Sequence, residues 1–150
     1  MTTITPTQVD PGPPANAPLR PPQTFANEAD RVRLTPAALE ALRGLTHAWK
    51  LTSQEAADLL GVSTSTWERI RAKSWQQSLS QDQLMRVSAL IGVFKGLHLL
   101  FADDMADRWA RLRNTGPLFM NRTPVEAMQE DGIPGMVDIR RYVDALRGGL

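Results

Sequence analysis

The chain has 150 residues, 42% hydrophobic and 22% charged, with a formal net charge of +1 at neutral pH. That length allows one compact domain or two small ones. The absence of cysteine excludes disulfides and thiolate metal sites, and with neither a membrane-spanning run nor a signal-peptide pattern in view, the expected location is the cytoplasm, away from membranes.

Residues 1–30 read as a disordered tail. Seven of the eleven prolines fall before residue 29, and the polar residues between them offer little to bury. Thr35-Pro36 then predicts a helix start, with Thr35 as cap and Pro36 in the first turn. Leu39, Leu42, Leu45 and Trp49 follow at three- and four-residue spacing, an inward stripe.

Thr52 with Glu55 three residues later is a capping box, so a second helix is expected there. Ala56, Leu59 and Leu60 give it an apolar face. Gly61 suits the left-handed end of that helix, Val62 plugs the corner, and Ser63 caps a third helix. In that helix Trp67 and Ile70 point inward. Thr64, Ser65, Glu68, Arg69 and Arg71 are left outward, with Lys73 just beyond. Two short helices about a tight turn are the arrangement that sets a second helix in the DNA major groove. Hydroxyls followed by arginines suit reading base edges while gripping phosphates. Base contacts are expected from Thr64, Ser65, Glu68 and Arg69, and phosphate contacts from Arg71 and Lys73.

Ser80 and Gln83 open a longer helix through Leu84, Val87, Leu90, Ile91, Phe94, Leu97 and Leu100, apolar on more than one face and therefore buried on two sides. Gly92 and Gly96, four apart, allow a close helix–helix approach. Asp103 or Asp104 is expected to cap a helix carrying Met105, Trp109 and Leu112, ended by Asn114-Thr115-Gly116-Pro117. Thr123-Pro124 starts a short helix with Val125 and Met128. The stretch Gly132-Ile133-Pro134-Gly135 breaks the chain before a last helix from about Met136. With no useful β-period alternation, the fold class is all-α.

Charge is uneven along this order. From Arg31 to Lys73 seven Lys/Arg face four Asp/Glu, whereas from Asn114 to Leu150 four face five. The excess positive charge lies with the helix-turn-helix, where phosphates need it. A local excess this modest makes a weak single grip, so a homodimer is expected.

The order capping box, Leu60-Gly61-Val62-Ser63, Thr66-Trp67 and then basic residues resembles the helix-turn-helix of the Xre/Cro repressors. Trp67 is bulkier than the aliphatic residue usual there, which requires a rearranged local core. Taken singly, Trp109 reads as core, Arg122-Thr123-Pro124 as a helix start and Tyr142 as packing. Together they resemble the toxin-binding domain of the Xre/MbcA/ParS antitoxins. The resemblance covers Leu34 to Leu150, with Asn121 standing where that family often has glycine; asparagine tolerates the left-handed conformation.

The resemblance implies an Xre-like helix-turn-helix domain over 31–101 and a small helical toxin-binding domain over 102–150. It also implies operator DNA as one partner and, as another, a RES-domain toxin that consumes NAD or transfers part of it. The toxin-facing residues it suggests are Trp109, Phe119, Arg122, Arg140, Arg141, Tyr142, Arg147, Gly149 and Leu150. Arginines there can pair with carboxylates or fill a phosphate subsite; near a helix C-terminus they can equally offset its dipole. The alternative is a stand-alone repressor whose C-terminal region dimerises or senses a small ligand.

No catalytic constellation stands out. His47 and His98 lack a ligand or catalytic context, and Asp103, Asp104 and Asp107 are explained by helix capping. No nucleophile elbow or phosphate loop is present. Neither an enzyme nor a cofactor or metal site is expected.

Overall fold

The computed structural model describes residues 22–148. The proline-rich tail before Pro22, and Gly149 and Leu150, lie outside the described residues. Six helices follow one another: α1 (Glu28–Ala48), α2 (Ser53–Leu60), α3 (Thr64–Arg71), α4 (Gln81–Leu100), α5 (Asp103–Trp109) and α6 (Pro124–Gly148). The described residues contain no strand, as an all-α chain requires.

The first helix starts earlier than Thr35-Pro36 predicts. Asn27 caps it, its side chain accepting from the Asp30 N–H at 3.2 Å, and Glu28 and Asp30 place negative charge in the first turn. Thr35 and Pro36 therefore sit inside α1. The buried Thr35 hydroxyl donates to the Arg31 carbonyl (2.6 Å) and accepts from the Leu79 N–H (2.9 Å). The residue that reads as a cap instead ties the segment before α4 onto α1.

Both capping boxes form, Thr52 with Glu55 and Ser80 with Gln83. Gly61, at φ +76°, ends α2 with its N–H on Asp58 and the Val62 N–H on the Ala57 carbonyl. The expected cap at Asp103 or Asp104 does not form. Ala102 occupies that position, and Asp103 instead meets His98 Nδ1 at 3.1 Å. α5 also stops short of Asn114, at Trp109. The Ala110 carbonyl turns to accept the Val125 N–H at 3.1 Å, joining the end of α5 to the start of α6.

α4 is the central element, packed most extensively on α6 and then on α1 and α5. By length and composition it could cross a membrane, which corrects the expectation that no run is long enough. Its apolar surface is instead spent on neighbouring helices, with Leu84, Val87, Leu90, Val93 and Leu97 in the core. Gly92 and Gly96 are where α6 comes close. A Cβ at Gly96 would stand 2.6 Å from Val143 Cγ1, and one at Gly92 2.4 Å from Arg140 Nε. α6 is broken only at Gly132 (φ +66°, ψ −148°), and helix continues on both sides through Pro134. A single core runs from Leu39 of α1 to Val143 of α6.

Candidate functional site

The α2–α3 corner presents its second helix outward because Trp67 and Ile70 are drawn into the core. Ser63 accepts from the Thr66 N–H at 3.1 Å and so fixes where α3 begins. Arg43 of α1 donates to the Ile70 carbonyl at 3.2 Å, holding the other end. Thr64, Ser65, Arg69, Arg71 and Lys73 are all exposed. Arg69 leans along the helix toward the Thr66 hydroxyl (3.3 Å), and its remaining donors have no partner among the described residues.

Glu68 is placed differently from its neighbours. It accepts from the Ser53 hydroxyl at the start of α2 and from Arg71, whose Nη2 is 2.6 Å away. The Ser53 hydroxyl first, and Arg71 second, hold its carboxyl below the ordinary glutamate range. The face therefore offers two hydroxyls, one uncommitted guanidinium and one lysine, with Arg71 tied to a carboxylate.

The downstream residues divide into three groups. Trp109, Phe119 and Tyr142 come together as an aromatic cluster: Phe119 meets Tyr142 edge-on at 5.3 Å and Trp109 at 5.7 Å, and Trp109 stacks on Tyr142 at 6.4 Å. Trp109 and Phe119 are buried, at 8% and 0% exposure, while Tyr142 is partly exposed. In the free chain, then, only Tyr142 of the three offers surface to a partner.

Arg122 faces inward too. It donates to the Phe119 carbonyl (2.8 Å) and the Leu118 carbonyl (3.4 Å), and pairs with Asp131 (3.0 Å) and Glu130 (2.9 Å). Those carboxylates, Asp131 foremost, raise its pKa further still. Arg122 thus clamps the 114–122 loop to the first half of α6. Sequence reasoning missed Asp131 and Glu130; the signal was two acids just before Gly132, on the helix that opens beside Arg122 at Thr123-Pro124. It also missed Met120, which projects from this loop with φ +53° and 73% exposure, beside Asn121 at φ +62°.

The α6 arginines do not form one patch. Arg140 lies over Gly92 of α4 and donates to the Ser88 carbonyl at 3.3 Å. Arg141 and Arg147 are on the outer surface, each loosely paired within the helix, to Asp138 at 4.0 Å and to Asp144 at 3.6 Å. Pairs this exposed are weak and easily exchanged for a partner's anion. His98 is held between Asp103 and Asp107 (2.9 Å) and against Phe94, with ring centroids 4.3 Å apart. Among the described residues no group of three or more His, Cys, Asp or Glu side chains is arranged so that it could hold a metal ion.

Three comparisons bear on this arrangement. A family model described as an antitoxin Xre-like helix-turn-helix domain matches residues 28–92. A protein of Sinorhizobium fredii, uncharacterized protein y4oB, is 30% identical over 116 residues, covering 76% of this chain and 87% of its own. The fold is similar to that of a chain in the crystal structure of the M. tuberculosis MbcT–MbcA toxin–antitoxin complex, with a TM-score of 0.51 and 20% identity. That match covers 75% of this chain and 95% of the other.

Proposed function

The chain belongs to the family of Xre-like helix-turn-helix antitoxins, and on that premise we propose that it neutralises a cognate RES-domain toxin and represses its own operon. The toxin would be an enzyme that consumes NAD or transfers its ADP-ribosyl part. The antitoxin, itself without catalytic role, covers that active site with the end of α6.

The observation that carries this reading is the state of Arg141 and Arg147. Both stand on the outer face of the last helix and, among the described residues, are bound only by loose intrahelical pairs. A guanidinium so placed can take over contacts that an enzyme otherwise makes to carboxylate or phosphate groups. Trp109, Phe119 and Arg122 serve as the support that fixes the helix carrying them, and Tyr142 lies at the border between support and surface. Gly149 and Leu150, which lie outside the described residues, are assigned to the toxin contact as well.

For DNA, α3 lies in the major groove with Thr64, Ser65 and Arg69 toward the bases. Arg71 and Lys73 lie on phosphates, and Glu68 orients Arg71. The modest local charge makes a homodimer with two recognition helices the binding form.

The test is co-expression with the toxin encoded beside the chain. Arg141→Glu with Arg147→Glu should abolish protection of cell growth while leaving the melting temperature unchanged; full protection by a folded double variant would sink the α6 assignment. For the operator, Arg69→Ala should weaken binding by roughly 1–3 kcal/mol, the worth of one bidentate base contact. An unchanged gel-shift titration would remove α3 from the bases.

A further inference from the structure

Between α1 and α4 runs an apolar groove that no described element fills. It encloses about 480 Å³, with Leu34, Ala38 and Ala41 on one wall and Leu84, Val87 and Ile91 on the other. Beyond Ala41 and Ile91 it continues beside Gly44 and Phe94 for about 300 Å³ more. Spaces of this size hold small organic ligands.

Among the described residues that line it, Lys95 and Arg140 are the charged ones, and no carboxylate is present. The guanidinium of Arg140 crosses from α6 onto Gly92 of α4, where a Cβ would collide with it, and its Nη1 donates to the Ser88 carbonyl at 3.3 Å. Glycine at 92 thus makes the seat that keeps this cation at the rim. Lys95 stands three residues on along the same helix, on the neighbouring turn. Among the described residues neither cation has a carboxylate within ion-pair distance, unlike Arg141 and Arg147.

Two cations at the rim of an apolar channel select an anion with an apolar body. An extended peptide is a poor occupant. The walls are helices whose backbone groups are paired within the helix, and Arg140 already takes the Ser88 carbonyl, so the N–H and C=O groups of a peptide would go unmatched. An alkyl chain brings no such groups. From Leu84 to Lys95 α4 rises about 16 Å. An extended chain gains about 1.2 Å per bond, so about a dozen carbons span that length.

We propose that the α1–α4 groove binds a medium-chain fatty acid, its acyl chain along Leu34, Val87 and Ile91 and its carboxylate at Lys95 and Arg140. Burial of the chain supplies most of the affinity, and the cations choose the head group.

The test is titration calorimetry of the full chain with sodium dodecanoate below its micelle concentration. One molecule should bind per chain, saturably, and the amide signals of Ala41, Ile91 and Lys95 should shift in nitrogen-15 spectra. Dodecyltrimethylammonium, with the same chain and the opposite charge, should bind at least about tenfold more weakly. Lys95→Gln with Arg140→Gln should remove that preference in a protein that still melts cooperatively. Ala41→Trp, which fills the groove from an exposed position, should abolish dodecanoate binding. Absence of dodecanoate binding would overturn the proposal, as would equal affinity for the two head groups or a preference untouched by the double variant. So would a dimer in sedimentation that Ala41→Trp splits and dodecanoate leaves intact, which assigns the groove to a second copy.

Discussion

Glu68 shows how one residue can limit what its neighbours do. Its carboxylate is held by Ser53 on one side and Arg71 on the other, so a phosphate that recruits Arg71 must first draw it from an ion pair. Glu68→Gln keeps an oxygen for Ser53 but discharges the pair. Operator affinity should then rise, because Arg71 reaches its phosphate without first leaving an ion pair. An unchanged affinity in a gel-shift titration would mean that Arg71 never reaches the backbone. The same scale shows where sequence reading stops. The order of Trp109, Phe119, Arg122 and Tyr142 marks out the segment, but order does not say which way a side chain points. Phe119 is fully buried and Arg122 is turned onto Asp131 and Glu130, two acids on the stretch of α6 that ends at the Gly132 kink.

That kink belongs to the scale of elements. Gly132 combines φ +66° with ψ −148°, a region essentially closed to residues with a Cβ. A Cβ there would touch nothing within 4 Å, so the constraint is wholly conformational. Gly132→Ala should therefore cost about 1–3 kcal/mol, read as a lower denaturant midpoint with an unchanged slope. A midpoint equal to that of the parent would mean the two halves of α6 can join by another route. Helices of this chain were legible at most ends that are set locally: the two capping boxes, the Gly61 turn and Thr123, whose hydroxyl accepts from the Glu126 N–H at 3.1 Å, although the local cap at Asn27 was missed. They were misread where a distant partner sets the end. Thr35 is held inside α1 by its tie to Leu79, and α5 ends early because the Ala110 carbonyl turns to Val125. No local pattern encodes those partners. The glycine pair at 92 and 96 did foreshadow a close helix contact, though not that α6 would make it.

Across the whole molecule, the helix-turn-helix and the last helix are parts of one structure. Arg111, just beyond α5, pairs with Glu55 of the α2 capping box at 3.1 Å, and Gln129 of α6 donates to Asp58 of α2 at 3.0 Å. Beneath these ties Met136, Ile139 and Val143 are all but fully buried in the common core. Burying side chains of this kind is worth roughly 1.5–3 kcal/mol each, so the three together contribute roughly 4.5–9 kcal/mol. Small proteins are stable by only about 5–15 kcal/mol in total. A chain ending at Gly135 should thus lose its cooperative melt and its operator binding together, although every residue of α2 and α3 is still present. A chain ending at Leu146 keeps the whole core, so it should melt close to the full-length protein and still bind the operator. Loss of toxin neutralisation in that second truncation reports on contact with the toxin rather than on folding. If the chain ending at Gly135 kept a sharp melt and shifted operator DNA, the helix-turn-helix would be independent of α6. The Glu55–Arg111 and Asp58–Gln129 ties would then be surface pairs of no consequence.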